Sequence, residues 1–295
     1  MMRFIRPVDI TDALFVSSSV AETDYAAWAI GTTYAIGDRV IKTATHRIYE
    51  SAAGSNIGHD PATSPTWWVD IGPTNRWAML DQTVGSSTQA SSLIDLTLLP
   101  GYVDSLALLD VSAAQVQITA VDGVTTVYDR TIDMTDQAAI IDWYMYFFEP
   151  LAPRTSVVIE DLPPYGSAEV RTRITGPGSV SCGTLAIGTK VELGQVRQGA
   201  KVGIIDYSKK TTDDYGVTSV VQRSYARRLD VDLVSDLAKL DYITDSLASI
   251  RAKPVVWIAD ERRKSLVIFG FSRDWAVVIA YATTLESSLT IEGLV

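Results

Sequence analysis

The sequence predicts a mainly β, multidomain protein: a small all-β aromatic module, a jelly-roll-like β-sandwich, and a C-terminal α+β region. Three observations carry that prediction. Residues 25–81 hold four of the seven tryptophans (Trp28, Trp67, Trp68, Trp77) and both histidines, among glycines, prolines and short β-prone runs with no helical period. From Ser91 onward, about seven short strand-like segments follow one another between turn signals. Close to the C-terminus, one stretch with apolar residues at three- and four-residue steps interrupts the strands. A chain of 295 residues is long for one domain, so two or three are expected.

In chain order, residues 1–20 read as an extended N-terminal arm. They are too few for a domain and suited to pairing with another domain or subunit. Residues 21–82 form the aromatic module, in which Ile36-Gly37-Asp38-Arg39-Val40-Ile41 is a turn feeding a strand. Arg47-Ile48-Tyr49-Glu50 is a second strand, and a long turn-rich loop leads to the closing run Trp67-Trp68-Val69-Asp70-Ile71-Gly72. Neighbours on a strand point to opposite faces, so Trp67 and Trp68 cannot both enter one small core. Residues 83–90 are small and polar, as in a linker.

Residues 91–195 are the predicted sandwich, with strands at 92–99, 103–110, 114–121, 124–131, 155–160, 168–175 and 180–187. Asp122-Gly123 marks a hairpin between two of them. The aromatic run at 143–148 reads as core or inter-domain packing. In the C-terminal assembly domain, 196–295, a strand over 220–233 precedes an amphipathic helix. Leu233, Leu237, Leu240, Ile243, Leu247 and Ile250 form the helix stripe, and Pro254 stops it. Strands at 255–259, 265–271, 275–282 and 288–294 complete the region.

Charge and composition narrow the function classes. The net charge is −10 and no basic run offsets it, which argues against a nucleic-acid partner. Cys182 is the single cysteine, so no intrachain disulfide is expected and the redox compartment stays open. The first twelve residues lack the apolar segment of a signal peptide, and no run of about 18 apolar residues predicts a membrane-inserted helix.

The order Trp28, Tyr34, Gly37-Asp38, Val40, Tyr49, Gly58, Pro61, Trp67 resembles the small chitin-binding modules of carbohydrate-binding family V/XII. The resemblance implies structural roles for Trp28, Tyr34 and the Gly37-Asp38 turn, and sugar stacking just after the second tyrosine. Here Tyr49 is followed by Glu50-Ser51-Ala52-Ala53-Gly54 with no tryptophan pair, so the candidate carbohydrate-binding residues become Trp67, Trp68 and Tyr49, beside the polar loop 55–60. The run PTNRWAMLDQ (73–82) is similar to the segment on the C-terminal side of this module in bacteriophage tail and baseplate proteins. The segment IIDYSKKTTDDYGVTSVVQRSYARR and the ending SLTIEGLV also look like recurring tail-protein sequences. The resemblance implies a virion component of a tail tip or baseplate, made in the host cytoplasm. Its expected partners are other tail or baseplate proteins, further copies of itself in a trimer or ring, and a host cell-surface glycan.

No catalytic apparatus, cofactor or metal site is expected. His46 and His59 with one distant cysteine do not supply a His/Cys metal set, and no nucleophile turn or phosphate loop accompanies them. Asp213-Asp214 and Asp260-Glu261 are the carboxylate pairs a polysaccharide hydrolase would need, but both have the context of solvated turns. Arg223, Arg227 and Arg228 suit an anionic glycan or, more simply, a salt-bridged edge or subunit contact.

Overall fold

The structure, a computed structural model, describes residues 1–136, 143–148, 152–260, 263–279 and 281–294. It is mainly β, with 52% of residues in strands and 8% in helix, and it contains a six-stranded barrel beside several sheets. All the named strands pair antiparallel. The sandwich-like layer pair and the barrel share one strand, Val180–Val196, which is 17 residues long where the sequence predicts eight.

The first half of that strand belongs to a layer with Ser105–Ser112 and Ser156–Ile159, while Thr88–Ala90 pairs with it over Val180 to Cys182. Facing this layer is a five-stranded sheet in the order Thr125–Asp133, Gln115–Asp122, Glu169–Thr175, Leu93–Leu98, Phe15–Ser18. Burial alternates with period two along Leu93–Leu98, Glu169–Thr175 and most of Gln115–Asp122. Ile94, Leu96 and Leu98, then Val116, Ile118 and Ala120, point inward at Leu106, Leu108, Val157 and Ile187 of the other layer. Gly123 turns the predicted hairpin at φ +61, a conformation open to glycine without steric cost. Cys182 is fully buried in this core, and burial pushes its thiol up to about 12.

The second half of the strand changes partners. Met2–Pro7 pairs with it from Gly188 to Gly194, and Val255–Ile258 pairs with the other side of Met2–Pro7. Val267–Val278, Thr284–Gly293 and Tyr225–Asp236 continue the sheet, and Tyr225–Asp236 returns to Gln195 and Val196 to close the ring. Of the residues expected to be an arm, 1–20, Met2–Pro7 is an internal barrel strand with Met2, Phe4 and Ile5 fully buried, and Phe15–Ser18 is the end strand of the five-stranded sheet. Inside, Phe4 lies 5.2 Å from Trp257, whose Nε1 donates to the Gly270 carbonyl at 3.0 Å. The helix Leu240–Ser249 adds Ile243 and Leu247 to this core, and Ile250 follows at its end.

Several expectations change here. Leu233 belongs to the strand, paired with Ser287, and not to the helix. Leu229, Val231, Leu233 and Ser235 alternate inward with period two as far as Asp236. The Asp236 carboxylate then accepts from the Ala238 N–H at 3.1 Å and starts the helical turn Leu237–Lys239. The two strands predicted over 265–282 are one, Val267–Val278, bent by a register shift at Ser272 to Asp274; Ala280 lies outside the described residues. The linker residues 83–90 include the strand Thr88–Ala90. The aromatic run forms a short helix, Trp143–Phe148, whose Trp143 is 77% exposed and whose Tyr144 and Phe147 are exposed too. A core role therefore does not hold for these three: Trp143 and Phe147, one turn apart on one face, stack on each other at 6.2 Å.

The outer faces of the two halves meet on Ile5, Ala107, Ala186, Val256, Ile258 and Val267. The small Ala107 and Ala186 allow close approach at this joint.

The closing seam and the facing sheet each give a testable outcome. Gly194 sits at φ +146 where the strand bulges against Met2, and a β-carbon there would collide with Ser235 Oγ and the Val234 carbonyl across the seam. Gly194→Ala is expected to cost about 2–4 kcal/mol of stability, read by denaturant unfolding, because strain and overlap add. In the facing sheet, Arg171 donates to Asp95 (Nε to Oδ1, 2.7 Å) and holds its carboxyl below the usual carboxylate range. A depressed folded pKa stabilises above the unfolded value of about 3.9 and the effect fades as pH falls through the folded value. Asp95→Asn should therefore lower the urea midpoint at pH 7 and have little effect near pH 2.

Candidate functional site

The aromatic module is a three-stranded sheet, Arg39–Lys42, Arg47–Ser51 and Trp68–Pro73. It is too small for an aliphatic core, and large rings fill it instead: Tyr34, Val40, Tyr49 and Trp68 are buried together. The Tyr34 and Trp68 rings meet edge to face at 5.2 Å. The Gly37-Asp38 turn is closed by Gly37 N–H donating to the Ser51 carbonyl and by Asp38 Oδ2 accepting from the Ala35 N–H. Asn56, fully buried, donates to Ser51 Oγ and to the Trp67 carbonyl, which ties the long loop to the sheet.

That loop places the accessible aromatic surface. Trp68 Nε1 donates to the His59 carbonyl at 2.9 Å, so the buried ring fixes the loop backbone. The His59 ring consequently stacks on Trp67, with centroids 3.9 Å apart. Next in sequence, Asp60 accepts from Lys42 Nζ at 2.7 Å, and this bond together with the Ala62 N–H holds its carboxyl below the usual range. The same ammonium lies 4.6 Å from the Trp28 ring centroid. Trp28, Lys42 and Asp60 thus form one half-buried group and His59 with Trp67 another, and the two follow each other along the chain at His59-Asp60 as a strip of two indoles with a cation, a carboxylate and an imidazole. Apolar ring surface beside hydrogen-bonding groups of both polarities suits a polyhydroxylated ligand, which offers C–H faces and hydroxyls together.

Of the three residues singled out from sequence, Trp68 is 2% exposed and Tyr49 7%, and both rings serve the module's core. Trp67 alone keeps an accessible portion, and His59 stacks against its ring. Trp67 precedes the strand and is held by a turn on the Ser64 carbonyl, which is how the two neighbouring indoles separate. Sequence reasoning placed the polar loop 55–60, which carries His59 and Asp60, beside the tryptophans, but it missed Lys42 and gave Trp28 a structural role only.

The module is fixed to the rest of the chain by a polar knot. His46 lies between Asp12 (Nε2 to Oδ1, 2.7 Å) and Glu22 (Nδ1 to Oε1, 3.0 Å), and stacks on Trp77 at 4.0 Å. Trp77 also stacks on Phe15 of the facing sheet at 5.0 Å. Thr74 Oγ1 donates to Glu22, and Arg76 Nε donates to the Val20 carbonyl. Both histidines therefore have packing roles, one anchoring the module and one shaping its surface.

The remaining candidates are placed apart from this strip. Asp213 Oδ1 accepts from the Tyr215 and Val217 N–H groups and caps a tight turn, with Asp214 beside it. Asp260 lies 3.9 Å from Arg263, and Glu261 lies outside the described residues. Arg223 falls between strands, so it does not share a strand face with Arg227 as the spacing suggests; Arg228 pairs with Asp230. Among the described residues, no group of three or more His, Cys, Asp or Glu is placed to hold a metal ion, and no helix is long and apolar enough to cross a membrane.

No family model matches the chain, and no curated protein matches it.

The strip makes one prediction independent of any ligand. Lys42→Ala should raise the Asp60 carboxyl toward the usual value of about 3.9, followed by carbon-detected NMR titration. The stability loss should stay under about 1 kcal/mol, because the pair is only half-buried.

Proposed function

We propose that this chain is a structural component of a phage tail tip or baseplate that contributes to assembly and to attachment at host-surface glycan. The observation that carries the attachment reading is the strip Trp28–Lys42–Asp60–His59–Trp67, on a module tied down by His46 and Trp77. Its chemistry fits a sugar, and the order of Trp28, Tyr34, Gly37-Asp38 and Tyr49 resembles a carbohydrate-binding family. On this reading the chain is multidomain. The module contacts glycan, while the sandwich, taken as jelly-roll-like, and the barrel carry subunit contacts in a trimer or ring. Each module binds weakly and many copies give avidity.

A second reading is favoured by the burial of Trp68 and Tyr49 and by the cover that His59 gives Trp67. The module is then a docking surface for other baseplate proteins, with no glycan bound. A glycan array probed with the full chain, displayed multivalently, separates the two. The expected result is retention on β-linked amino-sugar oligomers or host surface polysaccharide, reduced at least about tenfold by Trp67→Ala or Trp28→Ala, since an aromatic contact of this kind is worth about 1 kcal/mol or more. Absence of retention at high valency leaves the docking reading.

A further inference from the structure

Residues 201–225 leave the barrel as a two-stranded ribbon. Lys201–Asp206 pairs with the start of Tyr225–Asp236, and beyond it Lys209–Thr212 pairs with Thr218–Val221. The tip is the Asp213-capped turn, with Gly216 at φ +81. No residue of this ribbon is buried; Ile205 and Ser208 are half-buried and all the others are exposed. Its side chains are not those of a solvated loop. Ile204 is 68% exposed, Val220 66% and Tyr215 93%, with Val202, Val217 and Val221 exposed beside them.

An isolated two-stranded ribbon is marginally stable in water, and a β-rich edge lined with apolar residues invites pairing with another chain. Lys201–Asp206 is also the terminal strand of the ten-stranded sheet, so among the described residues one side of its backbone has no sheet partner. Charge selects what covers it. Residues 201–225 carry Lys201, Lys209, Lys210 and Arg223 against Asp206, Asp213 and Asp214, a net +1 in a chain of net −10, which leaves −11 on the rest. Lys201, Lys209, Lys210 and Arg223 make no side-chain ion pair among the described residues.

We propose that this ribbon is a self-association arm that lies against the acidic body of a second copy of the same chain. Apolar side chains on both faces fit a protein surface better than a polyanion, and the body of net −11 repels a polyanion brought close to it. The arm gives a physical basis to the assembly role of the chain and is independent of glycan binding.

The test is the mass of the full chain by sedimentation velocity over a concentration series. Self-association is expected with a Kd on the order of 1 μM or tighter, weakening as salt screens the charge. Val220→Ser should weaken it at least about tenfold while far-UV circular dichroism stays unchanged, because the residue touches no core. The charge reversal Lys209→Glu with Lys210→Glu should weaken it and flatten its salt dependence. A wild-type chain that stays monomeric at every concentration overturns the proposal, as does an oligomer insensitive to both variants. A monomer that instead binds heparin or single-stranded DNA, with binding lost in the charge reversal, overturns it in favour of a polyanion. Loss of glycan retention with association intact would sink only the attachment reading.

Discussion

The strand Val180–Val196 belongs to two cores at once, and the rest of the structure depends on that sharing. Over its first half, Ser105–Ser112 lies on one side and the strand's inward residues, Val180, Cys182, Leu185 and Ile187, face the five-stranded sheet. Over its second half, Met2–Pro7 and Tyr225–Asp236 are its neighbours, and Val191 and Leu193 enter the barrel with Trp257. A backbone that must satisfy every N–H and C=O along 17 residues cannot pivot freely at its middle. The layer pair and the barrel are therefore locked in orientation by one ladder of hydrogen bonds and by the joint at Ala107 and Ala186, with no separate linker between them.

The aromatic module depends on a different device. Its buried indole, Trp68, has a polar edge that must find a partner, and the His59 carbonyl is that partner. Satisfying the ring fixes the loop, and the fixed loop carries His59 onto Trp67 and Asp60 to Lys42. The surface strip is thus a consequence of how the core is satisfied, which is why core and surface tryptophans sit next to each other in sequence. Its anchorage is equally economical, since Trp77 is held between His46 and Phe15, joining the module to the sheet beneath it.

Much of the strand pattern was legible because several sandwich strands, such as Leu93–Leu98 and Glu169–Thr175, have one buried face and show period-two alternation. Gln115–Asp122 and Glu169–Thr175 differ by a residue or so from the segments expected, and Gly123 turns the hairpin that Asp122-Gly123 announced. Leu233 misled because spacings of three and four to Leu237 and Leu240 look helical whether or not the chain turns there. What decided the boundary was Asp236, whose carboxylate caps the turn after the strand has finished pairing. A core reading of Trp143, Tyr144 and Phe147 misled for a related reason: apolar composition states that a surface avoids water, without stating whether this chain covers it.

Sequence by itself determined the β-rich class, the positions of most strands, the ring-filled character of the module and the absence of a second cysteine to pair with Cys182, since these follow from local periodicity and composition. Tertiary structure decided the barrel, the placement of Met2–Pro7 within it, and which tryptophan is core and which surface. Those outcomes rest on pairings such as Arg3 with Ile258 and Gln195 with Val234, and on a carbonyl meeting an indole nine residues away. No local pattern encodes such contacts, because each depends on where distant backbone groups have already been fixed.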